Sequence, residues 1–254
     1  MSSGSAIYHT TSSIITVGGD TYFLENMAGT DGGAAYVHVS SDDANSSHFT
    51  VENNLIGLIQ GNKCGANGGA FAFIGGVVTS FPLGVTFLRN TAGVAGGAIY
   101  ISGVTVGILF EGVKFISNSA LIGGGLYSTG SGTAVTEDDG DILHEHPTTF
   151  IGCEFIENEA MKTGGAMDSS TGRDTIENTY FVGNTASIGG ALRLVGTTSL
   201  IGCEFVDNLS GNDEGPGISN DGAIANISRC SFIGNVFNCP TGSFLEYSDV
   251  SPHL

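Results

Sequence analysis

The stretch TEDDGDILHEHP, at 136–147, contains the side chains best suited to binding a metal ion. Its carboxylates surround a glycine that allows a tight turn, and carboxylate oxygens are the ligands that Ca²⁺ prefers. The spacing does not fit the twelve-residue EF-hand loop, and a solvated acidic loop is the alternative interpretation. His144 and His146 are a weaker candidate pair for a transition metal. The candidate calcium ligands are Glu137, Asp138, Asp139 and Asp141.

A second set of carboxylates lies in the segments CEFIEN and CEFVDN. Alternation turns Glu154, Glu157, Glu204 and Asp207 outward, and one intervening strand would separate the two pairs by about 10 Å. That distance is near the carboxyl gap of inverting glycosidases. The seven basic residues are scattered, so no face gathers both kinds of group. We therefore assign no catalytic residue, and a polysaccharide-active lyase or hydrolase is the alternative function.

Tyrosines form a regular outward set. The positions that follow each glycine pair would line up in one column on a stacked sheet, with Tyr100 and Tyr127 as neighbours. A row of aromatic rings can stack on sugar rings or pack against a neighbouring protein, although ordinary cross-strand packing gives the same pattern. The candidate binding residues in this column are Tyr36, Tyr100, Tyr127 and Arg193, and its other members would be Ala72, Asp168 and Ala225.

The composition excludes several classes of protein. Seven lysines and arginines against 25 acidic residues give a formal net charge of −18. Nucleic-acid binding and docking on anionic lipid both need a basic surface, so neither is expected. No apolar run reaches the ~18–20 residues of a membrane-spanning helix. The first residues also lack the basic and apolar regions of a signal peptide.

One repeated unit must position all of these residues. It reads FLRNTAGVAGGAIYISG at 87–103 and FVGNTASIGGALRLVG at 181–196. The shortest units are 24 to 28 residues long, a period typical of solenoids. The asparagines are Asn26, Asn62 (in a degenerate copy), Asn90, Asn118, Asn158, Asn184, Asn208 and Asn235. The glycine pairs are predicted at 32–33, 68–69, 96–97, 124–125, 164–165 and 189–190, with a degenerate copy at 221–224.

Alternation with a period of two indicates short β-strands, and a unit of this length favours the coil of a parallel β-helix. One inward position then becomes a column that rises about 4.8 Å per coil. The asparagines are expected at a tight turn, where their amides hydrogen-bond along the axis. The glycines provide positive φ angles and leave room for the turn. The predicted phenylalanine column is Phe87, Phe115, Phe155, Phe181, Phe205 and Phe232.

The alternation of F-x-x-N with G-G-A-[ILVM] resembles the repeat of the polymorphic outer-membrane proteins, a group of autotransporter adhesins. The resemblance covers about 22–242. It implies a right-handed parallel β-helix that is exposed at a cell surface and acts in adhesion or self-assembly. We therefore predict an all-β fold, a single-stranded right-handed parallel β-helix, or solenoid, of about eight coils.

Cysteines and glycosylation motifs fit the same scheme. Cys153, Cys203 and Cys230 share one inward position, and Cys203 and Cys230 would lie within disulfide distance on consecutive coils. A reduced, buried column is the alternative that we favour, while Cys64 and Cys239 are expected in turns. The five cysteines form no CxxC pair, so no zinc site is expected. Sequons at Asn45 and Asn226 matter only in a secreted eukaryotic protein.

A single β-helix domain over 1–254 is expected, with insertions at 38–50, 128–149 and 209–221. The expected function is that of a non-enzymatic structural or adhesive module of a cell-surface or extracellular assembly. Its partners would be copies of itself, other subunits or glycans, and Ca²⁺ is the main candidate cofactor. Neither end shows an amphipathic helix that could cover an open core, so we expect a segment of a longer chain or a filament of stacked copies.

Overall fold

The computed structural model describes residues 6–10, 14–38, 48–52, 57–75, 77–78, 80–103, 108–129, 135–136, 142–143, 148–170, 173–212, 214–221 and 225–237. Within these ranges the chain forms 34 β-strands, numbered in chain order, and no helix. Three parallel sheets have eight strands each, stacked in chain order. The chain is therefore a parallel β-helix, as the repeat predicts.

Each of the three long sheets takes one strand from every repeat. The glycine sheet, whose strands follow the glycine pairs, comprises β1 (Ile7–His9), β5 (Ala35–His38), β9 (Phe71–Ile74), β13 (Ile99–Ser102), β17 (Leu126–Thr129), β23 (Met167–Ser170), β27 (Leu192–Leu194) and β31 (Ile218–Asn220). The phenylalanine sheet comprises β3 (Tyr22–Leu24), β7 (Leu58–Gln60), β11 (Thr86–Leu88), β15 (Lys114–Ile116), β21 (Glu154–Ile156), β25 (Tyr180–Val182), β29 (Glu204–Val206) and β33 (Ser231–Ile233). The alanine sheet, whose inward residues are mostly alanine, comprises β4 (Met27–Ala28), β8 (Lys63–Cys64), β12 (Thr91–Ala92), β16 (Ser119–Ile122), β22 (Glu159–Thr163), β26 (Thr185–Ala186), β30 (Leu209–Ser210) and β34 (Val236–Phe237).

Two shorter parallel sheets lie between the glycine and phenylalanine strands of each repeat. One comprises β2 (Ile14–Val17), β6 (His48–Val51) and β10 (Val77–Val78). The other comprises β14 (Leu109–Glu111), β20 (Thr149–Ile151), β24 (Arg173–Glu177), β28 (Thr197–Ile201) and β32 (Ala225–Ser228). A separate antiparallel pair consists of β18 (Val135–Thr136) and β19 (Ile142–Leu143).

The core is built on two columns of stacked rings. The predicted column is confirmed: from Phe87 to Phe232 the ring centroids of successive members are 4.6–5.1 Å apart and the rings are nearly parallel. A second column, which the repeat did not reveal, stacks Phe81, Phe110 and Phe150 at 5.1 and 4.9 Å. The two columns meet edge to face, as at Phe110 and Phe115. Parallel strands in register bring equivalent side chains together in this way.

The asparagine ladder is also confirmed. Asn118 is representative: its backbone N–H and its Nδ2 both donate to Asn158 Oδ1 at 3.0 Å, and Nδ2 also donates to Phe87 O at 3.0 Å. Nδ2-to-Oδ1 bonds of 2.8–3.0 Å repeat this link from Asn26 to Asn235. Because the inner asparagines are fully buried, these bonds satisfy amides that would otherwise be costly to bury.

The two glycines of each pair meet different requirements. The first has a positive φ angle, which is 66° at Gly96, and an L side chain is strained there. The second is constrained by space, since a Cβ at Gly97 would lie 1.9 Å from the carbonyl oxygen of Gly124 in the next coil. The first position therefore requires glycine for its backbone conformation, and the second requires glycine for close packing against the next coil.

Three details of the predicted repeat are wrong. The fourth pair is Gly123–Gly124 and not 124–125, because Gly97 N–H donates to Gly123 O. Gly215–Pro216, and not the degenerate copy at 221–224, occupies the pair position of the last unit, since Gly190 N–H donates to Gly215 O. The segment 209–221 is not a protruding insertion, because β30 and β31 belong to the long sheets. Strands β6, β17 and β20 likewise take the ends of the other two insertions, whose remaining residues lie largely outside the described ranges.

The cysteines of the described residues are all free thiols. Cys203 N–H donates to Cys230 Sγ at 3.4 Å, so this pair forms the reduced column and not a disulfide. Burial raises the pKa of Cys153 to about 12 and that of Cys203 to about 11, which disfavours the reactive thiolate. Cys64 is buried in β8 and not in a turn, whereas Cys239 lies outside the described residues.

Candidate binding surface

The outer face of the glycine sheet carries the predicted binding residues in one column. Strand register pairs Tyr100 with Tyr127, as expected, and Asp168 with Arg193. Arg193 pairs in turn with Ser219, so Ser219 replaces the predicted Ala225, which lies in β32 on another sheet. In order along the axis, the column is Tyr8, Tyr36, Ala72, Tyr100, Tyr127, Asp168, Arg193 and Ser219.

Four tyrosines form two stacked pairs at one end of this column. The ring centroids of Tyr8 and Tyr36 are 5.4 Å apart, those of Tyr100 and Tyr127 are 5.6 Å apart, and both pairs are tilted by 13°. Ala72 interrupts the row between the pairs. The parallel register sets these ring distances, since neighbouring strands lie about 4.8 Å apart. The result is two separate pairs of stacked amphipathic rings on one face of the sheet.

The tyrosines differ in their accessibility. Tyr36 is only 8 % exposed, whereas Tyr8, which the sequence analysis did not single out, is 60 % exposed. Burial raises the pKa of Tyr36, with Asp31 adding to the effect, and burial also raises the pKa of Tyr100. The phenols of Tyr36 and Tyr100 therefore stay neutral well above physiological pH. Tyr100 and Tyr127 are half-buried, so each retains ring surface and a hydroxyl for a partner.

Charged side chains replace the tyrosines further along the column. Asp168 is fully buried and accepts a hydrogen bond from Thr163 Oγ1, and its Oδ1 lies 3.4 Å from Arg193 Nη1. Arg193 Nη2 also donates to the exposed Asp221 at 2.7 Å. Burial raises the pKa of Asp168, although Thr163 and Arg193 act in the opposite direction. The guanidinium is thus already held between two carboxylates and is not a free cation.

A cavity of about 470 Å³ opens beside this cluster. Its wall takes polar groups from Arg193, Thr163, Ser219, Asp221 and a further carboxylate, Glu214. Apolar surface comes from Ile188 and Ile218. The cavity is open and its wall is mainly polar, unlike the enclosed apolar pockets that hold most small ligands. Its acidic balance disfavours an anionic ligand.

The outward carboxylates on the phenylalanine sheet are arranged as expected. Glu154 and Glu204 both pair with Tyr180, which separates them by one strand. Glu154 forms an ion pair with Lys114 on the preceding coil, with 3.0 Å between Nζ and Oε2. Glu157 and Asp207 lie in the turn before the asparagine, with φ angles of 52°. One of the four candidate acids, Glu154, is therefore engaged with a cation of its own sheet.

Several predicted residues fall outside the described ranges. These are Glu137, Asp138, Asp139, Asp141, the two histidines at 144 and 146, and Asn45. Among the residues that the structure does describe, no group of three or more His, Cys, Asp or Glu side chains is placed to hold a metal ion. Asn226 is exposed on β32, whereas Asn208 is buried in the ladder. No helix in the described part of the chain has the length and apolar character needed to cross a membrane.

Sequence reasoning missed Tyr8, Thr163, Asp221 and Ser219. Tyr8 could have been found, because IYH at 7–9 has the alternation of AYV at 35–37, but no glycine pair precedes it. Ser219 was missed, and Ala225 predicted in its place, because Pro216 disguises the last glycine pair. The repeat gives no signal for Thr163 or Asp221. Their contacts depend on the tertiary structure, which brings the end of β22 to Asp168 and the residue after β31 to Arg193.

Comparison with known proteins agrees with the repeat. Residues 84–102 match the Chlamydia polymorphic membrane protein (Chlamydia_PMP) repeat. The chain resembles the polymorphic membrane proteins in its repeat. The matched segment contains β11, Asn90, the Gly96–Gly97 pair and β13, including Tyr100. No curated protein and no solved structure matches the chain.

Proposed function

We propose that this chain is a non-enzymatic adhesive module of a cell-surface or extracellular assembly, and that the outer face of the glycine sheet is its contact surface. The stacked Tyr100–Tyr127 pair carries this proposal, because it places two half-buried rings side by side on the outer face of the sheet. Tyrosine offers a large, stiff contact area with a polar tip and is enriched at protein interfaces. The match at 84–102 supports a surface role, since the resemblance implies adhesion.

Neutral glycans and protein partners with few acidic groups suit this surface better than anionic ones. The chain carries a formal net charge of −18. Arg193, the cation nearest the tyrosines in the column, is neutralised by Asp168 and Asp221. Like charge across an interface costs affinity, so sulfated or sialylated glycans are disfavoured. Copies of this chain or other subunits of the same assembly are further proposed partners.

Adhesion of protein-coated beads tests this proposal. Beads carrying the full chain should bind cells, or an array of immobilised neutral glycans, above the level of beads coated with an unrelated acidic protein. Binding should persist in moderate salt, because ring stacking is not screened as ion pairs are. Binding to neither cells nor the array would overturn the proposal.

The enzymatic alternative is tested on the same glycans. Turnover of a polysaccharide that is lost in Glu204→Gln, with the fold intact, would replace the adhesive function by a catalytic one. We expect no turnover, since Lys114 already engages Glu154, one of the four candidate carboxylates. Adding Ca²⁺ to the full chain and following its melting temperature tests the predicted ligands at 137–141.

A further inference from the structure

The second glycine of each pair joins one coil to the next in two ways. Its N–H donates to the carbonyl oxygen of the first glycine in the following coil, with N-to-O distances of 3.0–3.3 Å in six successive pairs. Its missing side chain also leaves room for the second carbonyl of that coil. A Cβ built at Gly97, Gly165 or Gly190 would lie 1.9–2.3 Å from that oxygen. No real side chain tolerates such a distance to the backbone.

Pro216 occupies this second position in the last described coil. Gly190 N–H donates to Gly215 O at 3.3 Å, and Ala191 N–H donates to Pro216 O at 3.0 Å, which fixes the alignment. Towards the preceding coil, Pro216 therefore presents its carbonyl oxygen as a glycine would. Towards a following coil, it can neither donate a backbone hydrogen bond nor leave room for the next carbonyl, because proline has no N–H and its Cβ lies where that carbonyl would pack.

We propose that Pro216 closes the C-terminal edge of the glycine sheet to a further coil, from this chain or from a second copy stacked head to tail in the register of the repeat. Proline on an edge strand is a common means of preventing edge-to-edge pairing. The block is confined to one side of the β-helix. The ring of Phe232 is 40 % exposed at the same end, and Asn235 continues the ladder there.

Closure of this edge does not depend on the adhesive function. It restricts the arrangements in which copies of the chain could associate. A filament that grows by simple continuation of the coils would have to pass over Pro216. Contacts between copies are instead expected through lateral faces, such as the tyrosine column, or through the N-terminal end.

An inserted coil tests the proposal in the full chain. A second copy of residues 187–210, placed directly after Phe237, adds one complete unit. Its phenylalanine and asparagine would extend the existing columns, and its glycine pair would lie over Gly215–Pro216. Three inserted chains are compared, with proline, glycine or alanine at position 216. The control is Pro216→Gly in the chain without the insertion. Hydrogen exchange at Ile218–Asn220 reports whether the new coil covers β31.

With glycine at 216, exchange at Ile218–Asn220 in the inserted chain should slow by at least ~10-fold relative to proline, because an edge strand becomes an internal strand. The same substitution in the parent chain should give no such protection. Alanine restores the N–H but keeps the Cβ, so it should behave as proline, and protection there would contradict the steric clash. Equal exchange with proline and with glycine, whether fast or slow, would overturn the proposal.

Discussion

The inward columns and the outward column of this β-helix follow the same coils but differ in how freely their residues change. Inside, one position remains phenylalanine from Phe87 to Phe232, and one turn position remains asparagine from Asn26 to Asn235. Outside, the column of the glycine sheet changes from tyrosine to aspartate, arginine and serine. The coils therefore share the same residues at these inward positions and differ in the side chains on their outer face.

The physical reason lies in the neighbours of each position. An inward ring is enclosed by identical rings above and below, so any change of volume leaves a cavity or a clash. An outward side chain that faces water, such as Tyr8, can change at small cost, whereas Asp168 and Tyr36 are covered by their neighbours. This contrast assigns stability to the inward columns and recognition to the outward one.

The largest effect is expected within a single strand, β25, where adjacent residues face opposite ways. Phe181 stacks on Phe155 and Phe205 at 5.1 and 4.7 Å, whereas Tyr180 is exposed. Phe181→Ala should lower the free energy of unfolding by about 3–5 kcal/mol, because it opens a cavity in the column. Tyr180→Ala is the matched control and should cost less than about 1 kcal/mol. Urea unfolding measures both, and similar losses would remove the contrast.

A somewhat smaller effect is expected in the asparagine ladder. Asn158→Ala removes the acceptor of the Asn118 amides and the donor to Phe115 O, all of them buried. Buried groups without partners cost roughly 1–3 kcal/mol each, so the total loss should be about 3 kcal/mol. Asn226→Ala, at an exposed position, should stay within about 0.5 kcal/mol of wild type. Equal stability of the two variants in urea would show that the ladder contributes nothing to the fold.

A still smaller effect should depend on pH and report on Asp168. Because burial raises the pKa of its carboxyl in the folded state, the folded protein binds that proton more tightly than the unfolded chain does. The contribution of Asp168 to stability is therefore greatest at acidic pH and falls as the pH rises through the folded pKa. Asp168→Asn should remove this component, so its stability relative to wild type should improve from pH 4 to pH 7. Denaturation at several pH values measures the trend, with Asp221→Asn as the exposed control. A reversed trend would contradict the assignment.

The sequence predicted the fold well because the repeat is periodic in both spacing and residue type. The asparagine ladder and the Phe87–Phe232 column follow directly from that register. The second ring column was missed because its position does not remain phenylalanine: after Phe150 the register places Ile176 and Leu200 there. Pro216 was missed as a member of a glycine pair because only the stacking of the last coil shows its position.

The binding surface was predictable only in part. Alternation was enough to place Tyr100 beside Tyr127. Neither the burial of Tyr36 nor the neutralisation of Arg193 follows from alternation. Burial depends on how neighbouring rings lean, and the ion pairs depend on Asp221, which follows the end of β31. Outward positions are set by tertiary contacts that the repeat does not encode.

The central claim is that stability lies in the inward columns and recognition in the outward tyrosines. Binding and melting of the double variant Tyr100→Ala/Tyr127→Ala, measured on the same preparation, tests it most directly. We predict that adhesion falls by at least ~10-fold, because the two rings would form the centre of the contact, while the melting temperature shifts by only a few degrees. Tyr180→Ala, an exposed tyrosine on the phenylalanine sheet, should leave adhesion unchanged. Unchanged adhesion in the double variant, or a loss of adhesion that accompanies unfolding, would contradict the claim.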